Sequence, residues 1–202
     1  MKENIIDIYR ELYYEQMDLA IKEHRMNDIY GIVSGIPVYY WNYQKEFIKE
    51  VVLSLTEDIK GIYFYGKGVT GKSMSAAYLL KQYIMKDSLL LAFKYSLSGY
   101  WLDYMTMIEY LRKHDSRADF IEHIFIKKSF IVLDDFGRTY GADSDFVINT
   151  VTRLCKSFLE KGGRLIITSN IKYEEVGDVF CLKLKSMFDI FLNRIELTEK
   201  FC

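Results

Sequence analysis

The octapeptide Gly66 to Ser73, GKGVTGKS, constrains the fold of this chain more than any other stretch, because it meets the spacing G-x-x-x-x-G-K-[ST] at every fixed position. Such a loop needs a strand before it and a helix after it. Both patterns are present: Ile62-Tyr63-Phe64-Tyr65 is a short apolar run, and Met74 to Met85 is a helical stretch rich in Ala and Leu. Glycines at 66, 68 and 71 allow the backbone to wrap an anion with its N–H groups, and the following helix points its positive end at the same place. The stretch is therefore expected to bind nucleotide phosphates through Gly66, Lys67, Gly68, Val69, Thr70, Gly71, Lys72, Ser73 and Met74. Lys72 is expected to reach the β and γ phosphates and to take part in catalysis, and the Ser73 hydroxyl to ligate Mg²⁺.

A second signal lies about sixty residues downstream. Phe130-Ile131-Val132-Leu133 reads as a buried strand that runs directly into Asp134 and Asp135. An acid at the C-terminal end of a strand stands where open α/β sheets bind ligands. Asp134 is the expected Mg²⁺ partner, and Asp135 the group that accepts a proton from an attacking water or orients it. A third apolar run, Arg164 to Thr168, ends in Thr168-Ser169-Asn170. Asn170 at that tip can hydrogen-bond the attacking water or the γ phosphate, or cap a helix starting near Tyr173, and the two roles are compatible.

Between and around these signals the chain alternates strand and helix patterns. Helical stretches are expected at about Asn4 to Asp28, Gln44 to Thr56, Tyr100 to Lys113, Asp119 to Lys127, Ser144 to Lys161 and Val179 to Phe191, with further strands at Leu89 to Tyr95 and Ile195 to Leu197. Gly31, Gly35 and Pro37 punctuate a hinge after the first helix. The helix before that hinge packs on the domain that follows or binds a partner. Tyr39, Tyr40, Trp41 and Tyr43 behind the hinge can stack on an adenine ring or cover the edge of the core. Arg112, Lys113, Arg117, Lys127 and Lys128 make one segment basic, which a solvated helix face explains as a rule and DNA contact explains as the alternative.

Composition excludes several classes. At 202 residues the chain suits one ordinary domain with a short appendage. Half of it is hydrophobic, which argues against disorder, and a net charge of −1 restricts any nucleic-acid contact to a local groove. Cys155, Cys181 and Cys202 lack CxxC spacing, and His24, His114 and His123 are scattered, so neither a zinc site nor a disulfide framework is indicated. No apolar run approaches the ~18 residues of a membrane span, and no signal-peptide pattern is present, so a soluble cytoplasmic protein is expected.

With these residues in place, the chain resembles the AAA+ helicase loaders of the DnaC and DnaI type and the related IstB-like ATPases of transposition, in a short form like those of phages or mobile elements. The likeness runs from about Ser34 to Leu197 and rests on SGIP followed by aromatics at 34 to 41, the P-loop, FIVLDDFG at 130 to 137 and LIITSN at 165 to 170. It implies a three-layer α/β fold with the parallel sheet of P-loop AAA+ (ASCE) ATPases and helices on both faces. Residues 34–202 would form the ATPase domain, and residues 1–33 a helical extension that binds the helicase. The implied ligands are ATP and Mg²⁺. The implied partners are a hexameric replicative helicase, single-stranded DNA and further copies of the chain, with no membrane.

The sequence also departs from that family. Where the resemblance expects an arginine finger in a Ser-Arg-Leu string, this chain has Ser186-Met187-Phe188, and no Gly-x-x-Arg follows to supply a second sensor. A helical lid is expected to be reduced or absent. Four functions are compatible: a helicase loader or recruiter, a nucleotide-gated module that binds or inhibits a helicase with little hydrolysis, an IstB-like transposition regulator, and a small-molecule kinase. The kinase is the weakest, since it needs an arginine-bearing lid and the C-terminal region offers Arg194 alone.

Overall fold

The computed structural model describes residues 34–37, 39–40, 60–68, 70–88, 99–113, 116–137 and 145–198. The expected helices at 4–28 and 44–56, the strand at 89–95, Val69, Trp41, Tyr43 and Cys202 lie outside the described residues. Among those described, strands β1 (Gly61–Tyr65), β2 (Gly99–Asp103), β3 (Phe130–Phe136), β4 (Arg164–Ser169) and β5 (Asn193–Glu196) form one sheet in the order β2-β3-β4-β1-β5. Every pairing in it is parallel. Helices α1 (Lys72–Ser88), α2 (Tyr104–Lys113), α3 (Ser116–Lys127), α4 (Asp145–Glu160), α5 (Val176–Val179) and α6 (Leu182–Phe191) complete the fold.

Alternation along the strands separates two cores. Ile62, Phe64, Trp101, Phe130, Val132 and Ile166 meet Ala76, Ala77, Leu80 and Ile84 of α1 on one face. Tyr63, Leu102, Ile131, Leu133, Leu165 and Ile167 meet α2, α3, α4 and α6 on the other. Because both faces are covered, the central strands are apolar throughout, as buried parallel strands are. The three-layer α/β expectation is met.

Two local expectations are corrected. The helix expected from Tyr100 begins at Tyr104, because Gly99–Asp103 pairs with β3 and sends Trp101 and Leu102 to opposite faces of the sheet, both buried. Asp103 then caps α2, its Oδ2 accepting from the Thr106 N–H and hydroxyl at 2.8 Å each. The single helix expected over Val179 to Phe191 is divided. Cys181 is extended (φ −167°, ψ 153°) and its Sγ accepts from the Leu184 N–H, so α6 starts afresh at Leu182.

Candidate functional site

The C-terminal ends of β1, β3 and β4 bring the three sequence signals to one edge of the sheet. β1 delivers the chain to the loop at Gly66 (φ 144°), and Gly71 (φ 84°) turns it into α1; both conformations favour glycine. Gly66 is also crowded. A Cβ there would stand 2.2 Å from the Leu197 carbonyl oxygen, since the Leu197 N–H donates to Tyr65 and draws the chain after β5 against the loop. Thr70 Oγ1 donates to the Lys67 carbonyl at 3.0 Å. Lys72 Nζ is buried and donates to the Gly66 carbonyl (3.0 Å), the Lys67 carbonyl (2.7 Å) and Thr70 Oγ1 (3.3 Å). Burial lowers its pKa, outweighing the opposite pull of Asp135 and Asp134.

The two aspartates owe their placement to an irregularity in the β3–β4 ladder. The register runs Leu133 opposite Ile167 and resumes with Phe136 opposite Ser169, so Asp134 and Asp135 share the single partner position of Thr168. This is a β-bulge, and Asp135 takes the left-handed conformation (φ 53°) that aspartate tolerates better than most residues. Thr168 secures both acids: its hydroxyl donates to Asp134 Oδ1 at 2.5 Å and accepts from the Asp135 N–H at 3.0 Å. Both carboxylates favour the charged form of Lys72, which places the pair in the electrostatic surroundings of the loop. Strict alternation would have sent them to opposite faces.

Asp134 is buried and accepts the Thr168 hydroxyl, and desolvation raises its pKa above the ordinary 3.8 against the opposing pull of Thr168 and Ser73. A carboxyl with a raised pKa in the folded state favours folding while protonated, and that contribution is lost as pH rises through the folded value. At neutral pH the ionised Asp134 is therefore a net cost to the ligand-free fold. Asp134→Asn keeps the Oδ1 that Thr168 bonds. We expect the variant to melt at a higher temperature than the natural protein at pH 7 in EDTA, with the gain shrinking as pH is lowered toward 3.8. A lower melting temperature at pH 7 would mean that Thr168 and Ser73 already outweigh desolvation.

Asn170 is exposed beyond the end of β4. It does not cap the next helical turn: Tyr173–Glu175 forms a 3₁₀ turn whose N-cap is Lys172, with no side-chain cap. The bend is held by its neighbours. Ser169 Oγ donates to the Phe136 carbonyl (2.7 Å) and accepts from the Ile171 N–H (3.0 Å), while the Tyr63 hydroxyl donates to the Ile171 carbonyl (3.2 Å). Asn170 thus stands on a fixed turn beside the bulge, free to meet a ligand.

Tyr40 belongs to the aromatic group after the hinge. Its ring lies 5.5 Å from that of Trp101, at the edge of the core on the α1 side. Ser73, Asp134 and the loop donors fit a magnesium–nucleotide complex. A hydroxyl and a carboxylate oxygen are the hard ligands Mg²⁺ selects, with phosphate and water supplying the remainder. Among the described residues, no cluster of three or more His, Cys, Asp or Glu side chains forms a metal site independent of a nucleotide.

The α6 region departs from the expectation for an arginine finger. Leu184, Met187 and Phe188 line the buried side of α6, so Met187 faces the core. Lys185 and Arg194, close in sequence, are engaged within the chain. Arg194 pairs with Asp189 and lies 4.0 Å over the Tyr173 ring, and Lys185 is 3.6 Å from Asp189 and 5.4 Å from the same ring. Cys155 is fully buried, which pushes its thiol up to about 12, as expected of an inert cysteine.

No protein-family model matches the sequence, and no curated protein matches it. Solved structures do. AMPPCP-bound DnaA from Aquifex aeolicus superposes with a TM-score of 0.56 at 15% identity, over 75% of this chain and 44% of that one. A DnaI structure gives 0.56 at 15% identity, covering 80% and 84%, and the DnaC helicase loader 0.53 at 17% identity, covering 79% and 98%. The chain shares its fold with these proteins. The chain spans less than half of the Aquifex DnaA structure but nearly all of the DnaC one. Among the described residues, no helix is long and apolar enough to cross a membrane.

Thr168, Ser169 and Tyr63 carry the geometry of the site without having been singled out in the sequence. A Thr-Ser pair before a terminal Asn is visible there, but their bonds to residues about 33 and 108 positions away are not.

Proposed function

We propose that this chain binds ATP with Mg²⁺ at the P-loop edge of its sheet and uses the bound state to recruit a hexameric replicative helicase to single-stranded DNA. The observation that carries the nucleotide half is the loop itself: Gly66 and Gly71 turn it through left-handed conformations so that the buried Lys72 Nζ rests on the Gly66 and Lys67 carbonyls, at the sheet edge where β3 ends in the buried Asp134. Lys72, now turned to the loop carbonyls, would exchange them for phosphate oxygens, a stronger charge-assisted contact. Bound Mg²⁺ would offset phosphate charge. Asp135, less buried than Asp134 and fixed by Thr168, would orient or deprotonate water, with the exposed Asn170 as a second polar contact. The helicase half is supported by the likeness to the DnaC helicase loader and by the double-aspartate and TSN strings.

One observation favours ATP binding over rapid hydrolysis as the working event. The residue at the finger position is a buried methionine, α6 contains no arginine, and Arg194 on β5 is already held by Asp189 and Tyr173. We expect a replicative hexameric helicase to be retained on the immobilised chain with Mg·ATP or Mg·AMPPCP and not without nucleotide, while steady-state turnover stays slow. Retention independent of nucleotide, or absent in every condition across a panel of such helicases, would remove the recruiting role and leave the nucleotide site to be explained otherwise.

A further inference from the structure

We propose that the chain leaving β5 braces the phosphate loop, and that Leu197 is a positioning residue of the nucleotide site: while it lies against Tyr65 and Gly66, the loop keeps the shape that receives phosphate. This rests on the nucleotide reading above and adds a residue outside the loop, its helix and the acids of β3. The β1–β5 ladder pairs Ile62 with Asn193 and ends with Tyr65 opposite Glu196. One further rung follows. The Leu197 N–H donates to the Tyr65 carbonyl at 2.8 Å, at the peptide that enters Gly66. The Leu197 carbonyl then stands so close to Gly66 that a Cβ there would lie 2.2 Å from its oxygen. The Leu197 side chain is buried in the cluster that holds Phe64, Ala76 and Ala77, which fixes the brace to β1 and α1.

These contacts act where the chain enters the loop. The rung orients the peptide plane between Tyr65 and Gly66, and the adjacent carbonyl leaves room at the Gly66 Cα for hydrogen alone, so the glycine is held at φ 144° from two sides. Glycine has the widest choice of backbone conformation of any residue, and unbraced it would not select this one. The Gly66 carbonyl in turn accepts from Lys72 Nζ at 3.0 Å, so the setting of Gly66 is passed to the lysine. Gly68 is different: a Cβ there would meet nothing within 4 Å among the described residues. The middle of the loop is thus open to a ligand, while its entry is set by a residue far along the chain. Whatever lifts the end of β5 from β1 therefore loosens phosphate binding.

Leu197→Pro removes the N–H just past the last strand in the sheet order, where proline is tolerated. We expect the variant to bind Mg·AMPPCP roughly threefold to tenfold more weakly, the worth of one ordinary hydrogen bond, while Leu197→Ile, which keeps the N–H and the burial, binds as the natural protein does. In ligand-free Leu197→Pro, hydrogen exchange of the amides from Gly66 to Ser73 should quicken, and those of β3 and β4 should keep their protection. Leu197→Ala keeps the rung and trims the anchor; it should move both readouts the same way by less, and it serves where the proline variant does not fold. Unchanged affinity and unchanged loop exchange in whichever of the two folds would overturn the brace, as would faster exchange spread through β3 and β4. If the natural protein does not bind Mg·AMPPCP, the nucleotide reading fails, and loop exchange still decides whether Leu197 holds the loop.

Discussion

Lys72→Ala is expected to lower affinity for Mg·ATP by about one to two orders of magnitude, as the loss of a buried hydrogen bond to a charged group does. The backbone donors of the loop remain, so binding is weakened and not abolished. The fold should persist. In the ligand-free protein the ammonium rests on the Gly66 and Lys67 carbonyls and on Thr70 Oγ1, but burial lowers its pKa, so its removal also relieves a desolvation cost. Isothermal titration with Mg·ATP, alongside a thermal melt without ligand, separates the two effects. Equal affinity in variant and natural protein would show that the loop does not place this lysine on phosphate. A collapsed melt would show that the lysine is needed to close the loop itself.

Met187→Arg is expected to destabilise the protein by about 3–5 kcal/mol, the cost of leaving an uncompensated charge in a core. On sequence alone this substitution would restore an arginine finger and speed hydrolysis. The structure reverses the expectation, because Met187 is 6% exposed and lies among Leu184, Phe188 and the core behind the sheet. For a chain of this size the loss corresponds to a fall in Tm of roughly 10 °C. Ser186→Arg, one residue earlier on the exposed side of α6, should leave the melt nearly unchanged. Differential scanning calorimetry of both variants decides the point. A stable Met187→Arg protein with accelerated, concentration-dependent turnover would mean that α6 can rotate to present position 187 to a neighbour.

The local parts of the site were legible in the sequence for a physical reason. A phosphate loop needs glycine at left-handed positions and a lysine and hydroxyl at fixed offsets, and Gly66, Gly71, Lys72 and Ser73 announce it without any long-range contact. Phe130 to Leu133 and Leu165 to Ile167 are apolar because both their faces are covered, and continuous apolar runs are readable as such. The edge strand β2 was not legible, since Tyr100-Trp101-Leu102 joins without a break to the pattern of α2, and a window that short cannot separate the two periods.

What the sequence by itself determined is the strand–loop–helix at residues 61 to 88, the acids that end β3 and the asparagine that follows β4, all set by backbone constraints and polarity within a few residues. What only the tertiary structure decided is how those pieces meet. The bulge that turns Asp134 and Asp135 to the same side arises because β3 has one residue more than β4 between Leu133 and Phe136, a property of two strands in register. Thr168 holding both acids, Tyr40 packing on Trp101 and Met187 facing inward are likewise contacts across the fold. A side chain's partner there depends on register and on which face of a helix is covered, and neither is encoded in the residues next to it.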